Sequence, residues 1–390
     1  MHDIQSFLSK IKHTVDEVNV LQAHKKHREG ALLIDIRDKD EVAAGSPNGA
    51  LRIPKGMLEM KIGQAAPDSE QEIYLLCASG KRSLVAAFCL QQMGYENVYS
   101  VEGGFGEWKN RALPFEMPRM LKEADYERYK RHLLIPEIGE AGQIKLLSSR
   151  VLVVGAGGIG SPVALYLAAA GVGTIGLVDD DIVDRSNLQR QILHTERSVG
   201  SAKVASARER LTALNPAINI VPIQLRMDAD NIESILQHYD LVLDGTDNFN
   251  TRYLINDACV KLRKPNVHGS VFRFEGQVST FWPASGSRNA PCYRCVYPTP
   301  PPAELAPSCA EAGVLGVLPG LVGVICATEA IKILAGFGNL LTGKLLCINA
   351  ATWQFDTYEI DREPACPYCG CTEPAHYPAY SHFAQACSAQ

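Results

Sequence analysis

Residues 151–161 read VLVVGAGGIGS, a run of β-forming apolar side chains that passes directly into a glycine-rich turn and then a helical stretch. The order strand, GxGxxG, helix leaves free backbone N–H groups and the positive end of a helix dipole facing one point, where a phosphate fits. A strand of this kind is buried on both faces and reaches its neighbours through helical crossovers. The segment therefore predicts a doubly wound, mostly parallel sheet. Gly155, Gly157, Gly158 and Gly160 form the candidate phosphate turn. Asp179 follows Gly160 by 19 positions (179 − 160), where an acid would hold ribose hydroxyls. So far, a nicotinamide-dependent dehydrogenase fits equally well.

The next residues favour different chemistry. DDDIVDRSNLQRQ (179–191) supplies an acid cluster followed by Asn187 and Arg190, which can grip phosphates, and Lys203 opens a helix. DGTDN (244–248) ends another apolar strand with Asp247, a carboxylate suited to magnesium, and Asn248. Acid, metal and cations around one nucleotide suit phosphoryl chemistry better than hydride transfer. Taken singly, each of these residues could be a solvated surface charge, and Asp247 a helix cap. The oxidoreductase with a fused thiol module stays open as the alternative, as does a binding scaffold with vestigial sites.

Cysteine spacing supplies two further signals. PCYRC (Cys292, Cys295) and CPYC (Cys366, Cys369) are CxxC knuckles, and four thiolates in a tetrahedron make a closed structural zinc site. CASGKRS (77–83) places Cys77 at the end of an apolar run and just before a helix, beside Lys81 and Arg82. Helix N-terminus, glycine nest and cations all favour a thiolate. Phosphatases build a similar cradle with five residues between cysteine and arginine. Here there are four, 78–81, and the tighter ring suits a persulfide. Cys89, Cys259, Cys326 and Cys347 fall in apolar periodic contexts and read as core residues.

At 390 residues the chain has room for two or three domains, and a formal charge of −5 argues against nucleic acid as a partner. Charged residues interrupt positions 1–20, so no signal peptide is expected, and the cysteine usage suits the cytoplasm. The apolar run 313–336 contains Pro319, Glu329 and Lys332, which predicts a buried helix rather than a membrane span. Strands are expected at 31–37, 72–77 and 97–104, with a helix at 83–94, giving a small N-terminal α/β unit over 1–113. After a linker at 114–123, a larger α/β unit covers 124–371. Its strands are expected at 151–154, 174–179, 218–224, 241–244 and 265–268, with helices at 159–170, 203–214, 232–238 and 251–261. Segments 276–282 and 344–350 predict an antiparallel extension, and 372–390 a flexible tail, where Cys371, Cys387, His376 and His382 are read as fortuitous.

The segments RYKRHLLIPEIGEAGQIKL, GAGGIGSPVALYLAAAGVG, VDDDIVDRSNLQRQILH, GSAKVASA, LDGTDNFNTRYLIN, PCYRC and CAEAGVLG, in this order, resemble the MoeB/ThiF family. That family resembles ubiquitin-activating enzymes and adenylates the C-terminal glycine of small ubiquitin-like sulfur carriers ending in Gly-Gly. The resemblance implies ATP and Mg2+ as reactant and cofactor, with Gly158 near the phosphates and Asp179 and Asp181 around the ribose. Asn187, Arg190 and Lys203 would bind the triphosphate and Asp247 the magnesium, with a structural zinc on the two knuckles. It also implies that Arg131 is donated across a homodimer to the partner's ATP, and that Cys309 bonds covalently to the activated carrier.

LIDIRDKDEVAAGSPNGALRIP (33–54) and VEGGFGEWK (101–109) resemble the rhodanese domain. This implies that Cys77 carries sulfur from a donor such as a cysteine desulfurase or thiosulfate, with Arg82 among the groups around it. Asp35 and Arg37 are expected to be structural, and Glu41 a helix-start residue. In many relatives the rhodanese domain follows the adenylating one, whereas here it comes first. The expected product is a carrier thiocarboxylate. PCYRC and CAEAGVLG lean towards molybdopterin synthesis, with thiamine, tRNA thiolation, cysteine and siderophore routes as alternatives.

Overall fold

The computed structural model describes residues 4–117, 119–287, 289–300, 313–370 and 377. The chain divides into two compact units between Met120 and Leu121.

The first unit is built on a parallel sheet ordered β1-β6-β5-β2-β4, where β1 is Asp16–Val18, β2 Leu32–Asp35, β4 Leu51–Arg52, β5 Ile73–Leu76 and β6 Val98–Val101. A short antiparallel pair joins β3 (Ser46–Pro47) to β7 (Phe115–Glu116). The central strand β5 is buried along its whole length, as its unbroken run Ile-Tyr-Leu-Leu requires. Ile73 and Leu75 pack on one face of the sheet, Tyr74 and Leu76 on the other. The helix after β5, Lys81–Gln92, starts two residues earlier than its periodicity suggests. Gly80 initiates it at φ +88°, a left-handed conformation that favours glycine. Asp35 and Arg37 are structural as expected: they form a buried ion pair at 2.6 Å, completed by Ser46 Oγ and the Gly45 carbonyl.

The second unit carries a sheet ordered β10-β9-β8-β11-β12-β13-β14-β15. Strands β8 (Arg150–Val154), β9 (Thr174–Val178), β10 (Asn219–Ile223), β11 (Leu241–Asp244) and β12 (Asn266–Phe272) run parallel. The strands β13 (Glu275–Phe281), β14 (Lys344–Asn349) and β15 (Gln354–Glu359) extend the sheet antiparallel. Along β8 the side chains alternate between two cores. Val151 and Val153 join helices Gly160–Ala170, Lys203–Leu214 and Val317–Ala335, while Leu152 and Val154 join Ile232–Leu236 and Phe249–Lys261. Helices on both faces are what a parallel sheet demands.

Strand β12 runs four residues beyond its expected end because it turns at once into β13 and gains a full antiparallel ladder. Helix Val317–Ala335 is long and apolar enough to cross a membrane by composition alone. In this fold Leu318, Val322 and Cys326 pack into the sheet core. Its buried Glu329 accepts the Leu341 N–H at 2.7 Å and pairs with Lys332. Tyr377 packs beside the Ile232 and Leu236 cluster; the rest of the expected tail lies outside the described residues.

Candidate active sites and metal centre

A cleft of about 350 Å³ opens at the carboxyl ends of β8, β9 and β11. Gly155 leaves β8 at φ +91° and donates its N–H to the Val178 carbonyl at 2.8 Å, which turns the chain sharply. At Gly160 a Cβ would lie 1.8 Å from the Gly155 carbonyl oxygen, so the helix can start this close only on glycine. Gly157 and Gly158 line the cleft. Asp179, at the end of β9, accepts the Ala156 N–H at 2.8 Å and the Asp181 N–H at 2.9 Å, which ties it to the turn.

Lys203 is largely buried and reaches Asp181 at 2.7 Å and Asp179 at 3.8 Å. Arg190, Asp247 and Asn248 complete the wall. Arg190 is steadied by the Ser186 carbonyl, and Asn248 caps helix Phe249–Lys261 by accepting the Thr251 N–H at 2.9 Å. The glycine turn fits a chain of phosphates, and Asp247 offers the hard oxygen ligand that magnesium prefers.

Two expected residues stand apart from this cleft. Asn187 does not line it; its side chain accepts the Asp184 N–H at 3.2 Å within a local capping turn. Arg131 is exposed on helix Glu123–Leu133, also away from the cleft. Cys309 lies outside the described residues.

The structure adds groups that spacing did not reveal. Asp244, buried at the end of β11, accepts Thr246 N–H at 3.0 Å and Thr246 Oγ1 at 2.6 Å, and bonds His268 Nδ1 at 2.8 Å. Burial opposes the Asp244 charge, but His268, Arg252 and Thr246 hold its carboxyl below the usual range. Burial pushes His268 down. Arg252 donates to the Thr246 carbonyl through Nε at 3.1 Å and Nη2 at 2.8 Å, so the DGTDN loop is clamped from two sides. His194 bonds Ser206 Oγ and the Ala156 carbonyl, both at 3.0 Å, behind the glycine turn.

Cys292, Cys295, Cys366 and Cys369 converge as expected. Their sulfurs are 3.8 Å (292–295), 3.7 Å (292–366) and 3.4 Å (295–369) apart. Zn–S bonds of about 2.3 Å give a tetrahedron with edges of about 3.8 Å. The cluster fits zinc, with every position filled by protein sulfur.

In the first unit Cys77 follows β5 directly. Its buried Sγ accepts the Gly80 N–H at 3.1 Å and the Ser83 N–H at 3.4 Å, with Ser83 Oγ at 3.5 Å. Such a ring of donors can cradle a sulfur atom by hydrogen bonds from several sides. Arg82 sits over this loop, but its guanidinium is engaged by Glu41 at 2.7 and 2.6 Å. Glu41 does lie in the first turn of helix Lys39–Ala43, and it also partners the arginine of the cysteine loop.

A glycine turn at a switch in a doubly wound sheet, with an antiparallel extension closed by four cysteines, defines an adenylating fold. The ThiF family pattern matches residues 129–368, and the chain belongs to that family. Residues 15–111 match the rhodanese-like domain. A Mycobacterium tuberculosis protein named "Probable adenylyltransferase/sulfurtransferase MoeZ" is 50% identical over 247 residues, 63% of this chain and 63% of that protein. The match thus spans less than two thirds of that relative's length. A Thermus thermophilus "Sulfur carrier protein adenylyltransferase" is 48% identical over 253 residues, covering 65% of this chain and 93% of the relative. Among solved structures, Escherichia coli MccB shares the fold at a TM-score of 0.56 and 22% identity, over 66% of this chain and 75% of MccB.

Proposed function

We propose that the chain adenylates the C-terminal carboxylate of a small ubiquitin-like sulfur carrier and then delivers sulfur to it from a Cys77 persulfide. The observation that carries this reading is the joint presence of a phosphate cleft lined by Arg190, Lys203 and Asp247 and a thiol cradle around Cys77. A dehydrogenase would need a pyrophosphate turn, but neither a magnesium ligand beside it nor a thiol cradle.

In the first step a carboxylate oxygen of the carrier attacks the α-phosphorus of ATP, forming a C–O–P linkage as pyrophosphate leaves. Arg190 and Lys203 would stabilise charge on the phosphates, and the glycine turn would hold them in line. Magnesium, when bound at Asp247, supplies further charge neutralisation on the phosphates. The carboxylate is already ionised at neutral pH, so no base is required.

In the second step the terminal sulfur of the Cys77 persulfide attacks the carbonyl carbon and AMP departs. A thiolate then cleaves the resulting acyl disulfide, releasing the thiocarboxylate and leaving a disulfide at Cys77; in the variant of this route that uses Cys309, its thiolate first takes the acyl group as a thioester, displacing AMP, and the persulfide then displaces the Cys309 thiolate. Zinc would hold the two knuckles together and take no part in either step.

We further propose a homodimer with Arg131 serving the other subunit's nucleotide, domains over 1–113 and 124–371, and the molybdopterin route. The names of the relatives support the chemistry more than the pathway. The test is pyrophosphate exchange into ATP dependent on a Gly-Gly-ending carrier; exchange that no such carrier stimulates would overturn the reading.

A further inference from the structure

A second cavity, of about 520 Å³, meets the nucleotide cleft at Arg252, which lines both. Phe249, Tyr293 and Tyr297 give it aromatic walls, and His268, Ser270 and Gln277 supply its polar side. That polar side is one face of the β12–β13 ladder. His268 and Ser270 lie two residues apart on β12 and so share a face, and the antiparallel register sets Gln277 opposite Ser270. No step of the reaction above uses these groups.

The hydrogen bonds around the cavity fix what its polar groups can offer. Asp244, held below the ordinary carboxylate range, can only accept, so the proton it shares with His268 sits on Nδ1, 2.8 Å away. Burial keeps the imidazole neutral, which leaves Nε2 as a bare acceptor. Among the described residues Nε2 has no hydrogen-bond partner. On the next strand the Tyr297 hydroxyl donates to Gln277 Oε1 at 2.8 Å, so this amide presents its NH2 group as a donor. An acceptor on one strand and a donor on its neighbour match an extended peptide, which offers both an N–H and a carbonyl at each residue. Two such residues reach about 7 Å. Arg252, fixed at the junction by two bonds to the Thr246 carbonyl, carries the positive charge that attracts a terminal carboxylate.

We propose that His268, oriented by Asp244, is a specificity-determining residue whose Nε2 accepts the N–H of the carrier's terminal glycine. This rests on the adenylating reading above and deepens it by naming a contact that reads the tail. The terminal carboxylate stands at Arg252, on the edge of the nucleotide cleft, and the preceding residue extends into the second cavity, where the Gln277 amide donates to its carbonyl. Recognition through the backbone suits a tail that has no side chains. It also rejects a tail whose last nitrogen carries no hydrogen, because a buried acceptor is then left unpaired.

The experiment measures pyrophosphate exchange into ATP by the full-length protein with two probes. One is a ubiquitin-like carrier ending in Gly-Gly, the other the same carrier made by ligation with N-methylglycine as its last residue. The wild type prefers the first in kcat/KM by at least about tenfold. In His268→Asn, which can still donate to Asp244 but has no acceptor in place of Nε2, the preference falls below about twofold, since no acceptor remains to be stranded. A merely structural role would slow both carriers alike and leave the preference unchanged. An independent readout on the wild type is the imidazole nitrogen resonance of Nε2, which moves when the Gly-Gly carrier binds with a non-hydrolysable ATP analogue and stays when the N-methyl carrier does. Equal use of both carriers by the wild type, an undiminished preference in His268→Asn, or a resonance that does not move overturns the proposal. Exchange stimulated by neither carrier is a separate result, which overturns the adenylating reading and this proposal with it.

Discussion

Arg82 and Glu41 lie 41 residues apart in sequence, yet the guanidinium meets both carboxylate oxygens, at 2.7 and 2.6 Å. Asp38 adds a weaker contact at 3.8 Å. The arginine of the cysteine loop is therefore already neutralised, and its hydrogen bonds hold the Glu41 carboxyl below its ordinary range. A small anionic donor must compete with Glu41 for Arg82. Glu41→Gln should lower the KM for thiosulfate roughly two- to fivefold, since half-exposed ion pairs contribute about 1 kcal/mol or less. Steady-state transfer from thiosulfate to cyanide checks this, and an unchanged or higher KM would count against it.

The glycines of the phosphate turn should separate by what a methyl group meets. At Gly160 a Cβ would fall 1.8 Å from backbone oxygen, whereas at Gly157 its nearest neighbour is Gln191 Nε2 at 3.7 Å, an ordinary contact. Gly160→Ala should be destabilised by more than about 2 kcal/mol. Gly157→Ala should melt close to the wild type but bind ATP less tightly, because the methyl enters the cleft. Thermal unfolding and equilibrium dialysis distinguish the two.

How far such details were legible beforehand depends on distance along the chain. The alternation in β8, the turn after it and the two knuckles are local patterns, and residue spacing is enough to read them. Asp244 and His268 are 24 positions apart, on neighbouring strands β11 and β12, and only the register of those strands brings them to 2.8 Å. Arg294 and Asp257 meet in the same way, through a helix and a knuckle that no periodicity connects. Asn187 shows a different limit of reading by position. Its position after an acid cluster suggested phosphate, but a short polar side chain beside a tight turn is readily captured by local backbone, here Asp184.

His194 makes stability depend on pH. Burial pushes its imidazole below the ordinary value, and the neutral ring bridges Ser206 and Ala156. The unfolded chain therefore binds a proton more readily, so stability is lost as pH falls below about 6.5. Urea midpoints measured between pH 7.5 and 5.5 should decline for the wild type and decline less for His194→Gln.

Removing one thiolate opens the tetrahedron. Cys366→Ser should bind well under one zinc per chain and lose thermal stability, since metal binding energy at such a site is folding energy. Atomic absorption and a melting curve check both. A variant with full zinc content would mean the cluster is not the site.

The decisive measurement is the mass of a Gly-Gly-ending carrier after incubation with ATP, a persulfide donor and either the wild-type chain or Cys77→Ala. The wild type should convert the carrier to its thiocarboxylate. Cys77→Ala should leave it without sulfur while still exchanging pyrophosphate into ATP at the wild-type rate. Thiocarboxylate formed equally by both proteins would contradict the proposed route of sulfur through Cys77.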